Sequence, residues 1–201
     1  MKLNFRIEQE YDNREPLKPL ELATLFRNIT KKLDVLLGTK KTWYEQGYSR
    51  KQALQHKVFE GDRVSENVLA RWQKEYEKDY PNWTEGIWDG EPDNDSSGID
   101  CYTSYSSTGR REKPLKLVVT FIIEQNKSPF DIDNMVDFFI SLLRPSYNCT
   151  YACVESGGYS FPKMVPKENG YDEIYKKVFP DRASCGWMLY IPHVLLPDLI
   201  P

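Results

Sequence analysis

Leu117-Val118-Val119-Thr120-Phe121-Ile122-Ile123 is nearly continuous apolar sequence, which suits a central strand covered on both faces. A helix pattern follows. Ile132, Met135, Val136, Phe139, Ile140 and Leu143 fall at helical spacings, and the pattern closes before Pro145. Beyond it lie two more strand patterns, at residues 150–155 and 187–191, separated by a Gly/Pro-rich loop and a short helix expected near 171–178.

Upstream of the central run, Leu3, Phe5 and Ile7 alternate with polar residues, the period of a half-buried strand. Pro16 and Pro19 then precede a long helical pattern of Leu22, Leu25, Phe26, Ile29, Leu33 and Leu36, with Gly38 as its stop. Ser49 with Gln52 forms a capping-box pattern before Ala53 and Leu54. Ser65 is placed to cap a helix running toward Asp79 and ended by Pro81. From Thr84 the sequence turns Gly-, aromatic- and Thr/Ser-rich, with strands expected at 85–88 and 99–106. The order is strand, helices, three strands, helix, two strands. It predicts an α+β fold in which a mostly antiparallel sheet carries its helices largely on one face.

The 201 residues fit one domain, 1–201, large enough to bury a core without disulfides or metals. A net charge of −3 and a pI near 5.6 argue against a general nucleic-acid binder and favour basic partners. The N-terminus alternates apolar and polar residues, unlike a secretory signal, and no apolar run approaches a membrane span. Four cysteines (101, 149, 153 and 185) include no C-x-x-C pair and read as reduced thiols, so a soluble, cytoplasmic protein is expected.

The chemical content is sparse. In the stretch from Trp88 to Asp100, WDGEPDNDSSGID, residues Asp93, Asp95, Ser97 and Gly98 match the start of a calcium-binding loop. The closing position is Ser104 instead of a bidentate Glu, and strands flank the loop where helices belong. The histidines, His56 and His193, stand alone; no nucleophile elbow, zinc spacing or phosphate-cradling glycine loop is present. No Asp or Glu has Lys two positions later, which disfavours a metal-dependent nuclease of the restriction type. The reading is therefore non-enzymatic, with no catalytic residue, metal or cofactor assigned.

What stands out is a window, residues 84–108, with six acids and no cation, beside a first half crowded with Trp and Tyr. TWYEQGYSRKQALQHKVFE (residues 42–60), a Trp followed by a Gly-Tyr-Ser turn and a helix, and GWMLYIP (residues 186–192) resemble the immunity protein 52 family of bacterial polymorphic-toxin systems. The resemblance implies a small cytoplasmic protein that binds and neutralises a cognate toxin, typically one with a restriction-endonuclease-like nuclease domain, delivered between competing bacteria by specialised secretion. It transfers no catalytic residue and locates no binding face. From the residues themselves, an acidic and aromatic surface suits the basic groove of a nuclease. The expected contacts are Glu85, Asp89, Glu91, Asp93, Asp95 and Asp100 as charges and Trp88, Tyr102 and Tyr105 as anchors, with no direct nucleic-acid or membrane contact. Two other classes remain open at this point: an enzyme assembled from distant residues such as Asp133, Cys153, Glu155 and His193, and a self-associating adaptor.

Overall fold

The computed structural model describes residues 2–11, 15–47, 49–92, 95–105, 112–124, 131–143, 149–156, 164–165, 174–175 and 188–190. The fold is α+β. The elements are β1 (Lys2–Tyr11), α1 (Pro19–Leu37), β2 (Tyr44–Glu45), α2 (Arg50–Ala53), β3 (Phe59–Glu60), β4 (Arg63–Val64), α3 (Glu66–Asp79), β5 (Thr84–Trp88), β6 (Gly98–Tyr105), β7 (Glu112–Glu124), α4 (Ile132–Leu143), β8 (Cys149–Ser156), β9 (Met164–Val165), β10 (Ile174–Tyr175) and β11 (Met188–Tyr190). Seven strands form one sheet in the order β11-β8-β1-β7-β6-β5-β2, and every described pairing is antiparallel.

The central apolar run lies in β7, the fourth strand of the seven, paired with β1 along ten residues from Lys2↔Glu124 to Tyr11↔Leu115. β5, β6 and β7 form a meander. β8 pairs with the other side of β1, so β7 and β8 run parallel with β1 inserted between them, and α4 makes the crossover.

Strand alternation divides the sheet into two unlike faces. One row of side chains runs Ile87, Ile99, Val119, Ile7 and Val154, all buried, with Leu115, Leu117, Phe121 and Ile123 of β7 on the same side. Against it α1 presents Leu22, Phe26, Ile29 and Leu33, flanked by α3 and α4. Phe26 meets Trp72 of α3 edge-on at 6.0 Å, and Phe138 of α4 meets Phe121 edge-on at 5.7 Å. Gln9, the fully buried polar residue of this face, accepts a 2.8 Å hydrogen bond from the Tyr11 hydroxyl. The other face carries the even-numbered residues of β1: Asn4, Arg6, Glu8 and Glu10. Coverage of β7 there is partial, because Val118 is buried but Thr120 and Ile122 are half-exposed.

Local signals account for the helices. α1 starts at Pro19 with the Glu21 carboxylate accepting from the Lys18 N–H at 3.1 Å, and stops at Gly38 with φ 63°, a left-handed conformation that glycine adopts without strain. Ser49 caps α2 through the Gln52 N–H. Ser65 occupies the cap position of α3 but makes no side-chain cap; its own N–H bonds Val58 O at 2.8 Å. The short helix expected near 171–178 is corrected: Ile174 and Tyr175 form β10, paired with β9. A β-branched and an aromatic residue suit a pleated surface, and the rest of that segment lies outside the described residues.

The packing predicts a sharp contrast. Trp72→Ala removes a fully buried indole wedged between Phe26 and Trp83, and denaturant unfolding is expected to show a loss of about 3–5 kcal/mol. Val35→Ala, at an 83% exposed position of the same helix layer, is expected to stay within about 0.5 kcal/mol. Equal losses would contradict this assignment of the core.

Candidate functional site

On the sheet face opposite α1, α3 and α4, β5, β6 and β7 leave a groove around Gly86. Gly86 pairs with Asp100, Asp100 with Val118, Thr84 with Tyr102 and Tyr102 with Lys116. A cavity of about 460 Å³ opens along this row; Arg6, Gln46, Thr84, Gly86, Asp100, Tyr102 and Val118 line it, and Glu85 and Cys101 also contribute to its lining. Gln46, from the chain just after β2, reaches across β5 and donates from Nε2 to Asp100 Oδ1 at 2.7 Å. That bond passes directly over Gly86. A Cβ on Gly86 would stand 2.5 Å from the Asp100 carboxylate and 2.7 Å from Gln46 Nε2, so a glycine in mid-strand is required by the close approach above it.

Burial pushes the Asp100 carboxyl above its ordinary value, opposed by the Gln46 hydrogen bond and by the charge of Arg6. Arg6 itself donates to Glu8 at 3.4 Å. Next to it, Lys116 donates to Glu8 and pairs with Glu10, both at 2.8 Å, with all three side chains largely shielded from water. Burial alone would lower Lys116, but the hydrogen bonds to Glu10 and Glu8 outweigh it and raise its pKa. The groove thus has Arg6 of β1 on one side and Asp100 of β6 on the other.

The residues expected as partner contacts separate into distinct environments. Asp100 and Tyr102 line the groove. Trp88 stands at the end of β5, its indole N–H donating to Glu45 O at 3.1 Å and its ring 6.4 Å from Tyr44. Asp89 is turned inward: its side chain has no exposure and is ion-paired with Lys41, while its Oδ1 accepts from the Glu91 N–H. It anchors the loop and is closed to direct contact with a partner. Asp95 is paired with Lys2 but remains 42% exposed, and Glu91 is exposed. Asp93 and the Tyr105 side chain lie outside the described residues.

Glu85 sits on the helix side of β5, in register with Cys101 and Leu117. Burial drives its pKa to about 8; Glu75 of α3 and Glu45 of β2 push the same way, against the Gly86 N–H and Arg71 of α3, which is ion-paired with Glu45. It is therefore largely protonated at neutral pH.

The chemistry for catalysis is dispersed. Asp133 is exposed on α4 in the helix layer, whereas Cys153 and Glu155 pair with Glu8 and Arg6 on the opposite face; His193 lies outside the described residues. Burial raises Cys101 to about 12 and Cys149 to about 11, so both thiols stay protonated. Among the described residues no three His, Cys, Asp or Glu side chains converge as a metal site.

The sequence missed Gln46 and Gly86 as site residues; alternation in β1 does place Arg6, Glu8 and Glu10 together, but nothing local points Gln46 at Asp100. No protein-family model matches the chain. No curated protein matches it either.

The inward Glu85 gives a pH prediction. Its folded pKa, about 8, exceeds the ordinary 4.5, so the folded form keeps a proton that the unfolded form releases as pH rises. Stability contributed by the neutral carboxyl is intact below pH 4.5 and declines progressively until about pH 8. Glu85→Gln keeps the shape without the charge. Its melting temperature is expected to match the parent at pH 4 and exceed it above pH 8; an equal offset at both would refute the inward placement.

Proposed function

We propose that the chain is an immunity-type protein that binds a cognate bacterial toxin in the cytoplasm and neutralises it by protein–protein contact, the toxin being a basic enzyme of the nuclease class. The observation that carries this reading is the open groove on the sheet face opposite α1, α3 and α4, where the half-buried Asp100 stands beside Tyr102 without an ion-paired cation among the described residues. A carboxylate held partly out of water gains from an incoming cation, and an aromatic neighbour supplies contact area at low entropic expense. Of the stretches that resemble immunity protein 52, residues 42–60 lie beside the groove, tied to β5 by the pairing of Tyr44 and Glu45 with Trp88 and Ile87 and reaching it through Gln46, while Met188–Tyr190 forms the opposite edge of the sheet.

The contact set that follows is Asp100, Tyr102 and Trp88; Glu91 and Asp95 line a separate cavity beside Lys40 and Lys41, and Asp89 and Glu85 act on the fold. Among the described residues no helix is long and apolar enough to cross a membrane.

The test is an affinity pull-down of the tagged chain from its native cells, followed by nuclease assays of the retained protein with and without the chain. One stoichiometric, silenced partner is expected, whose retention weakens as salt rises. Asp100→Lys is expected to weaken retention at least about tenfold, the size of one lost charge-assisted contact, while Glu91→Lys changes it less than about threefold. Failure to retain any partner at any salt concentration would sink the reading.

A further inference from the structure

We infer that the groove is a receptor for an arginine side chain, the guanidinium seated against Asp100 beside Tyr102. The inference deepens the inhibitor reading and rests on it only for the source of that arginine, a segment of the partner protein.

Geometry carries the argument. An ionised carboxylate accepts through both oxygens, and Asp100 Oδ1 is taken by Gln46 at 2.7 Å. Oδ2 has no hydrogen bond among the described residues. Gly86 supplies no side chain, so the floor beneath the carboxylate is bare backbone, and Tyr102 and Thr84 give the groove an aromatic wall and a hydroxyl rim. The nearest cation, Arg6, donates to Glu8 and makes no ion pair with Asp100. Strands β1 and β6 are separated by β7, which places these walls about 10 Å apart at the usual strand spacing. A planar guanidinium matches the open carboxylate edge and can stack on a tyrosine ring, which a compact ammonium does less well. Burial shifts Asp100 toward its neutral form, against the Gln46 hydrogen bond and the charge of Arg6, and an incoming cation opposes that shift further.

Two variants give opposite signs. Asp100→Asn keeps the shape and the bond from Gln46 but loses the charge. Arg6→Gln removes the like charge that opposes an incoming cation.

The experiment is amide NMR titration of the full chain with N-acetyl-arginine methylamide, and with its neutral isostere N-acetyl-citrulline methylamide as control. Saturable shifts are expected at Gly86, Asp100 and Tyr102 with the arginine probe alone. Asp100→Asn should weaken them about tenfold, the size of one charge-assisted hydrogen bond, and Arg6→Gln should strengthen them about twofold. Equal response to the citrulline probe, no saturable response, or an Asp100→Asn variant that binds as the parent does would overturn the inference. No toxin is needed, so failure here with a partner still retained in the pull-down removes this use of the groove and leaves the inhibitor reading standing.

Discussion

The ten-residue ladder between β1 and β7 is the constraint on which the other elements depend. β1 is apolar at odd positions except Gln9 and polar or charged at even ones, so a slip of one residue would send Arg6, Glu8 and Glu10 into the helix layer and expose Phe5 and Ile7. Lys116 helps to prevent that slip. It stands opposite Glu10 on β7 and bonds both Glu10 and Glu8, a charged clamp that only the observed register allows. With β1 fixed at the centre, β8 and the β5–β6–β7 meander are added on either side, and the helices have one apolar surface to cover.

The same two-sidedness creates the groove. Helices α1, α3 and α4 pack on the face of Ile7, Ile87, Ile99, Val119 and Val154, and the opposite face is open at the groove near β5 and β6. There, the sheet has a glycine where it would otherwise have a side chain, and a glutamine from outside the meander lies over it to hold one acid in place. Charge is divided between the faces with different consequences. Glu85, pointing inward, is held largely protonated by burial and by two nearby acids; Asp100, pointing outward, is half-buried, with one oxygen free of hydrogen bonds among the described residues.

Much of the architecture was legible because its signals are local. Pro19 and Gly38 bracket α1, Ser49 and Gln52 mark α2, the 132–143 periodicity marks α4, and alternation marks β1. The short strands β2, β3 and β4 were not, since two residues carry no period and their pairing depends on tertiary neighbours. The site was legible only in part. The acids from Glu85 to Asp100 look alike in sequence, but their roles are set by cations and walls far away. Lys41 reaches Asp89 across 48 positions, Lys2 reaches Asp95 across 93, and Gln46 reaches Asp100 across 54. An acidic run that reads as one surface is thus folded into a buried anchor, an exposed ion pair beside a second cavity and a groove wall.

On the proposed reading a partner sits on the sheet face opposite α1, α3 and α4, and not on the helix layer. Hydroxyl-radical footprinting of the chain with its retained partner, compared with the chain alone, tests this most directly, because it reads the exposure of side chains on both faces in one experiment. Protection concentrated at Tyr102 and Trp88, with unchanged reactivity at the exposed Leu20 and Val35 of α1 and Ile140 of α4, is the predicted result. Protection of Leu20, Val35 or Ile140 with Tyr102 unchanged would contradict the claim and move the interface to the helices.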